Sequence, residues 1–367
     1  MIAVSSLLRR AVYPAMSRAG IFPRRVGAGE VCVLTYHGLL REGSVKAKSP
    51  TADTLLSAAQ FRRQLRFLKS RYQLITPEAF HSWLKEHASL PQRAVLLTCD
   101  DGLLNVLTDM VPILLEERAR CLFLVTAASL EDPPQYLWYE ELYRMLDAAP
   151  GDALVIVDGK AVRKNSLATK SLIRYWWKLV QELSALSCND RKEGLLSLRT
   201  EWQLPVDGRM CDPGNLEGCR NRLLNRNELR QLVSQGMTVG AHTVSHPLLA
   251  RMSAELAAQE IRECKLSLES YLQQEVWALA YPFGDEGSAG AREMRIAEDA
   301  GYACAFLNHG GGVMRQTSPR YALPRAHVTA EMNLPELEAN LTGFHERLQR
   351  WKGAGGEQGE ASARRSV

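Results

Sequence analysis

The chain lacks a long apolar run. Its longest, such as Ala94–Thr98 and Trp277–Tyr281, are five or six residues, far short of the ~18 needed to span a bilayer as a helix. It lacks a dominant charge sign. Lys+Arg total 45 and Asp+Glu 41, interspersed, for a net charge of +4, which argues against a dedicated nucleic-acid surface with its clustered basic stripe. It lacks any C-x-x-C among its eight cysteines, so neither a zinc ribbon nor a thioredoxin-type pair is indicated. Cys32, Cys99, Cys121 and Cys304 lie in apolar strand-like runs, where a thiol behaves as a small hydrophobe. A Cys211–Cys219 bridge is left open by the spacing. Internal repeats and collagen-like or disulfide-knot composition are also missing. The 46% apolar and 23% charged residues are those of an ordinary globular protein.

The first 29 residues hold five arginines and no acid. The apolar piece Met1–Leu8 precedes the charge and is cut by Arg9 and Arg10, the reverse of a cleavable secretion signal. Two readings stand: a basic amphipathic segment on an anionic membrane surface, or a terminal helix on the domain. With no signal, the expected location is cytoplasmic, at the inner face of the membrane if the first reading holds.

Along the chain, short β-rich runs alternate with helix-period runs. Strands are expected at Val31–Tyr36, Tyr72–Thr76, Ala94–Thr98, Cys121–Thr126, Met237–Ala241, Trp277–Tyr281, Tyr302–Phe306 and, weakly, Tyr321–Val328. Helices are expected at Phe61–Ser70, Pro77–Glu86, Leu103–Arg118, Arg226–Ser234, Ser253–Gln273 and Ala289–Ala300. Such alternation implies an α/β fold with a parallel sheet and right-handed crossovers. Seven or eight units predict an irregular (β/α)7-8 barrel. The expected division is a basic segment over 1–29, a barrel over 30–352 and a disordered tail over 353–367. Residues 130–225 break the rhythm as a largely helical insertion, with Leu154–Asp158 as a lone strand. Its Trp138, Tyr139, Tyr143, Tyr175, Trp176, Trp177 and Trp202 either stack on sugars or form the insertion's own core.

Three segments sit where apolar strands stop. Thr98-Cys99-Asp100-Asp101-Gly102 places two carboxylates at a strand end. Side-chain alternation points them in different directions, so one can bind a metal and the other act as a base. Gly240-Ala241-His242-Thr243-Val244-Ser245-His246-Pro247 carries two histidines four apart, able to reach one point in a tight turn. One carboxylate and two imidazoles make a three-ligand site with open positions, the pattern of a catalytic metal. Ala280-Tyr281-Pro282-Phe283-Gly284 is a turn able to aim a backbone N–H at a developing oxyanion, or simply a strand-ending turn.

In this order, the three segments resemble the NodB-homology polysaccharide deacetylases, carbohydrate esterase family 4. The family's T-F-D-D-G stands here as T-C-D-D-G, its H-S/T-x-x-H is matched by His242, Thr243 and His246, and its R-x-P-Y/F by Pro282 and Phe283, with Ala280 in place of arginine. Thr35-Tyr36-His37-Gly38 resembles an upstream Y-H element. The resemblance implies a NodB-like barrel that hydrolyses N-acetyl groups of amino sugars in a polysaccharide or its precursor. It implies a divalent metal, zinc foremost, with cobalt, manganese or nickel as alternatives. It assigns Asp101, His242 and His246 to the metal, Asp100 as general base, Thr243 as a brace and the Phe283 N–H to the oxyanion. Two departures follow. Tyr281 or Arg325 is expected to take over from the missing arginine. The final L-x-H motif is not cleanly present, and Pro324-Arg325-Ala326-His327 is the expected source of the general acid, with His327 as that acid and His37 as a further candidate at the same mouth. The expected substrate is an N-acetylated glycan or a lipid-linked sugar. Other readings are an O-acyl esterase, a cyclic-amide amidase, or a non-catalytic carbohydrate binder.

Overall fold

The structure, a computed structural model, describes residues 11–20, 22, 30–40, 54–157, 160–205, 221–285, 287–310 and 312–344. The expected tail over 353–367 and the Cys211–Cys219 pair lie outside these residues. The first helix, α1 (Tyr13–Arg18), buries Tyr13 against Phe22 and Phe344. Its apolar side is therefore turned to the domain, and the described part of the basic segment presents no apolar face to a membrane. Among the described residues no helix is long and apolar enough to cross one.

The sheet grows from runs buried on both faces, as parallel strands covered by helices require. The first, β1 (Glu30–Tyr36), is followed by the two-residue pair β2 (Leu39–Leu40) and β3 (Leu56–Ser57). Helix α2 (Ala58–Arg71) starts at Ser57, whose hydroxyl accepts the Gln60 N–H. Then come β4 (Gln73–Ile75), α3 (Pro77–Leu84), capped by Thr76 with proline in its first turn, and β5 (Ala94–Cys99), buried at every residue. One continuous helix over 103–118 is not what forms. A π-helical turn, Val106–Met110, precedes α4 (Val111–Glu116). Pro112 has no N–H to give and crowds the preceding turn, and the wider π turn absorbs the break.

After β6 (Leu122–Val125) the chain leaves the sheet for α5 (Trp138–Ala148), β7 (Leu154–Val157), β8 (Lys160–Arg163), α6 (Thr169–Leu183) and α7 (Cys188–Glu201). The strand expected to be alone is not: β7 pairs antiparallel with β8, whose two cations hid it as a strand. The chain returns with α8 (Arg226–Ser234), β9 (Thr238–Ala241), α9 (Ala254–Leu272), β10 (Ala278–Ala280), α10 (Ala291–Asp299) and β11 (Cys304–Phe306). It ends in β12 (Val313–Met314), β13 (Ala326–His327) and α11 (Leu334–Leu341).

The main sheet runs β11-β10-β9-β6-β5-β1-β12, with β4 also on β5 and β13 also on β1. Only β12 is antiparallel to its neighbour. Leu323 bonds Ala305 and Leu307 of the β11 edge through its N–H and carbonyl, and Val328 N–H donates to Thr35 of β1. One stretch of chain thus bridges the two flanks and curls the sheet into an irregular barrel. Alternate residues part to its two sides. Val31, Val33, Leu96, Leu122, Leu124 and Phe306 meet Phe80 and Trp83 of α3, while Cys32, Leu34, Tyr36, Val95, Leu97 and Cys99 pack among the helices. Trp138, Tyr139, Trp176 and Trp202 form a separate core with Leu142, Val155 and Val180. Most of the aromatic residues over 130–225 are therefore structural. Because the strands are parallel, their C-terminal ends share one rim, and every candidate site residue falls there.

Candidate metal centre

β5 ends at Cys99, and the chain turns at once. The Gly102 N–H donates to the Asp100 carbonyl at 3.0 Å, with Asp101 between them at φ 75°. β9 ends at Ala241. Thr243 and His246 follow at φ 65° and 60°, and the Thr243 hydroxyl accepts the His246 N–H at 3.0 Å. β10 ends at Ala280. The Gly284 N–H donates to the Pro282 carbonyl at 2.7 Å around Phe283, at φ 63°. Left-handed backbone at non-glycine residues costs of order 1–3 kcal/mol each and persists only where surroundings over-determine it. Four such residues on one rim mark a built site. Gly284 is required as glycine: it has φ +68°, and a Cβ there would lie 2.4 Å from the Asn308 Cβ.

The three turns converge. Asp101 Oδ1 lies 3.5 Å from His242 Nε2 and 3.4 Å from His246 Nε2. One ligand atom from each of the three residues can be chosen so that all lie within 4.8 Å of one another, and all three residues are buried. These separations are too long for charge-assisted hydrogen bonds. They match the ~3.3 Å between two ligands each ~2.0–2.1 Å from a tetrahedral ion. Asp101 Oδ1 is buried without a hydrogen-bond partner. His242 Nδ1 sits 2.8 Å from the Ala280 carbonyl. A proton there leaves Nε2 bare and aimed at Asp101, the tautomer a metal ligand needs. The donor set therefore fits a divalent ion of the zinc type. Burial raises the Asp101 carboxyl, but His242 and His246 outweigh it and hold it well below the carboxylate range. Burial lowers His242, yet Asp101 and Asp100 bring it above the usual histidine value.

Asp100 points elsewhere. Arg325 grips it with two parallel N–H bonds of 2.7 Å, one to each carboxylate oxygen. The same guanidinium donates to Thr98 Oγ1 at 3.1 Å and the Leu307 carbonyl at 2.9 Å. Burial pushes the Asp100 carboxyl up, but Arg325, helped by His242, holds it below the ordinary range. Of the two residues expected to take over from the missing arginine, Arg325 is the one that reaches Asp100. Tyr281 does not, because its hydroxyl donates to the Tyr321 carbonyl at 3.0 Å.

His327 and His37 face each other edge to plane at 5.0 Å between ring centres, each with a buried, unpartnered nitrogen. Burial, with His37 beside it, takes His327 down to about 3. The Phe283 ring packs 5.0 Å from His246. Among the described residues no acceptor pairs with the Phe283 N–H.

Several residues at the site carry no signal in the linear motifs. Asn105 Oδ1 accepts the Leu39 N–H at 3.1 Å and so fixes the loop after His37. Trp138, Tyr139 and Arg191 reach the His246 loop from the 130–225 region, and Glu260 reaches it from α9. Of these contacts only Ser245, inside the H-T-V-S-H run, was visible as a neighbour of a ligand.

The polysaccharide deacetylase family model matches residues 209–305, a span that contains both histidines and the Phe283 turn. No curated protein matches the chain by sequence. Among solved structures, the deacetylase PplD of Streptococcus pyogenes is similar at 17% identity and TM-score 0.54, over 86% of this chain and 99% of that one. A de-N-acetylase of Aggregatibacter actinomycetemcomitans is similar at 12% identity and TM-score 0.54, over 85% and 100%. IcaB of Ammonifex degensii is similar at 17% identity and TM-score 0.52, over 85% and 97%. The chain is thus similar to the polysaccharide deacetylase family over 209–305, and its fold is similar to that of PplD and IcaB.

Proposed function

We propose that the protein is a metal-dependent deacetylase that hydrolyses the N-acetyl group of an amino sugar in a glycan, releasing acetate. The observation that carries the reading is the division of labour between two adjacent carboxylates. Asp101 faces two imidazoles at ligand spacing, and Asp100 is held ionised by Arg325. Asp101, His242 and His246 would hold the ion, zinc foremost, with cobalt, manganese or nickel also suited to the donor set. Such an ion makes water acidic near neutral pH and polarises an acyl oxygen.

This chain's residues supply the rest. Each Asp100 oxygen spends one lone pair on Arg325 and keeps another for the proton of the attacking water. The Phe283 N–H donates to the oxygen that gains charge, and Pro282 and Gly284 set its angle. Thr243 holds the His246 backbone. Asp100, having taken a proton from water, returns it to the departing amine, because His327, the expected acid, is held as a neutral ring beside His37. The lipid-linked substrate and the membrane contact gain no support from α1, so the proposal stops at an N-acetylated glycan.

A non-catalytic binder would not need an ionised second carboxylate, and Arg325 meets the need that the missing arginine had left open. The test is acetate release from N-acetylglucosamine oligomers beside O-acetylated sugars. Faster release from the oligomers, abolished in Asp100→Asn with metal still bound, is expected. Release only from the esters overturns the amide reading, and full release by Asp100→Asn overturns the base.

A further inference from the structure

The two histidines are not held alike. His242 has its Nδ1 fixed by the Ala280 carbonyl. His246 has a buried Nδ1 with no partner, so nothing bonded to its ring sets its direction. Its backbone also sits at φ 60°. A metal ligand normally gains its orientation from a hydrogen bond on the far nitrogen. His246 must gain it another way.

The braces come largely from the segment between β6 and β9. The Trp138 indole N–H donates to the His246 carbonyl at 3.0 Å. Tyr139 lays its ring 5.0 Å from the imidazole. Arg191, 2% exposed, donates one N–H to Ser245 Oγ at 2.8 Å. Its other N–H groups are anchored on the Leu183 and Leu186 carbonyls at the C-terminal end of α6, where a cation is favoured. The guanidinium also lies 4.9 Å over the Trp138 ring. From the opposite side, the Glu260 carboxylate accepts the Ser245 N–H at 2.8 Å and also takes the Ser245 hydroxyl. Ser245 is thus clamped between an anion of α9 and a cation of α7, one residue before His246.

We propose that Trp138 and Arg191 are positioning residues for the metal ligand His246, so that the helical segment α5–α7 is part of the scaffold of the metal centre and not only a wall above it. The inference rests on the metal reading of Asp101, His242 and His246. It is a claim about ligand geometry, so metal affinity and ligand-field spectrum report it without any turnover.

The probe is cobalt(II), added to metal-free full-length protein, with affinity read by chelator competition and geometry by the visible spectrum. Trp138→Phe keeps a ring and loses the N–H; Arg191→Met keeps the stem and loses the guanidinium. Each should bind cobalt about 10- to 100-fold more weakly, the effect of losing an outer partner of a ligand, with an altered spectrum. Leu195→Ala, in the same core and on the same helix as Arg191, is the control. It should lower the melting temperature of the metal-free protein yet keep cobalt affinity within about twofold, since its side chain makes no hydrogen bond to the His246 loop. Wild-type affinity and spectrum in Trp138→Phe and Arg191→Met overturn this inference alone. An equal loss in Leu195→Ala also overturns it, by showing general loosening. If the unaltered protein takes up no cobalt, the metal reading falls and this inference falls with it.

Discussion

Replacing Arg325 by methionine should unbalance the site more than any other change that touches no proposed metal ligand. The pair with Asp100 is buried: Arg325 is 0% exposed and Asp100 2%. Its two 2.7 Å bonds place one guanidinium N–H on each carboxylate oxygen. Removing one partner of a buried pair leaves an uncompensated charge, at a cost of about 3–5 kcal/mol. Methionine fills much of the stem's volume, so little of this is cavity. Denaturant unfolding of metal-free protein reads the loss directly. The sign with pH is fixed. Asp100 lies below its unfolded value, so its contribution is present above that unfolded value and is lost as pH falls through the folded one. In Arg325→Met, burial acts without the guanidinium against it and the carboxyl moves up. The acid limb of acetate release should therefore move to higher pH. The double variant Arg325→Met/Asp100→Asn should fall short of the sum of the singles by about 2–3 kcal/mol. A single variant within about 0.5 kcal/mol of wild type, with an unmoved acid limb, would refute the reasoning.

Gly284→Ala places a methyl group 2.4 Å from the Asn308 Cβ and must shift the Phe283 turn. Acetate release should fall about 100-fold, the cost of roughly 1 Å of misplacement, while bound metal per chain stays constant; an undiminished rate would remove Phe283 from the mechanism. His327 sits near 3 when folded, against about 6.5 when unfolded. Between those values the unfolded chain binds more protons, so stability rises with pH across the window. His327→Gln should therefore lose less stability than wild type as pH falls from about 6.5 toward 3, measured as urea midpoints; parallel curves would contradict its burial as a neutral ring.

What could be read in advance follows from range. Strands such as β5 are buried on both faces, so they appear as short apolar runs whatever they pair with. Helix α8 has the expected bounds because its start is written locally, in the reciprocal bonds of Asn225 and Glu228. The two-residue strands β2, β3 and β12 have no period to detect. The π turn before Pro112 answers a clash that a periodicity reading does not weigh. At the site, Asp100, Asp101, His242 and His246 stand out because the spacing of each pair is local. Arg325 reaches Asp100 from 225 positions away; it was nameable only as one of two candidates for a missing cation, and its pairing depends on the barrel's closing stretch. Trp138, Arg191 and Glu260 had no linear signal, since their meeting with the His246 loop depends on how α5, α7 and α9 pack.

The most direct test of the account is the metal content of the purified protein, measured beside acetate release. One divalent ion per chain, lost in His242→Ala and in Asp101→Ala, with release abolished by chelation and restored by zinc or cobalt, is the predicted result. Acetate release that survives complete removal of metal would contradict it.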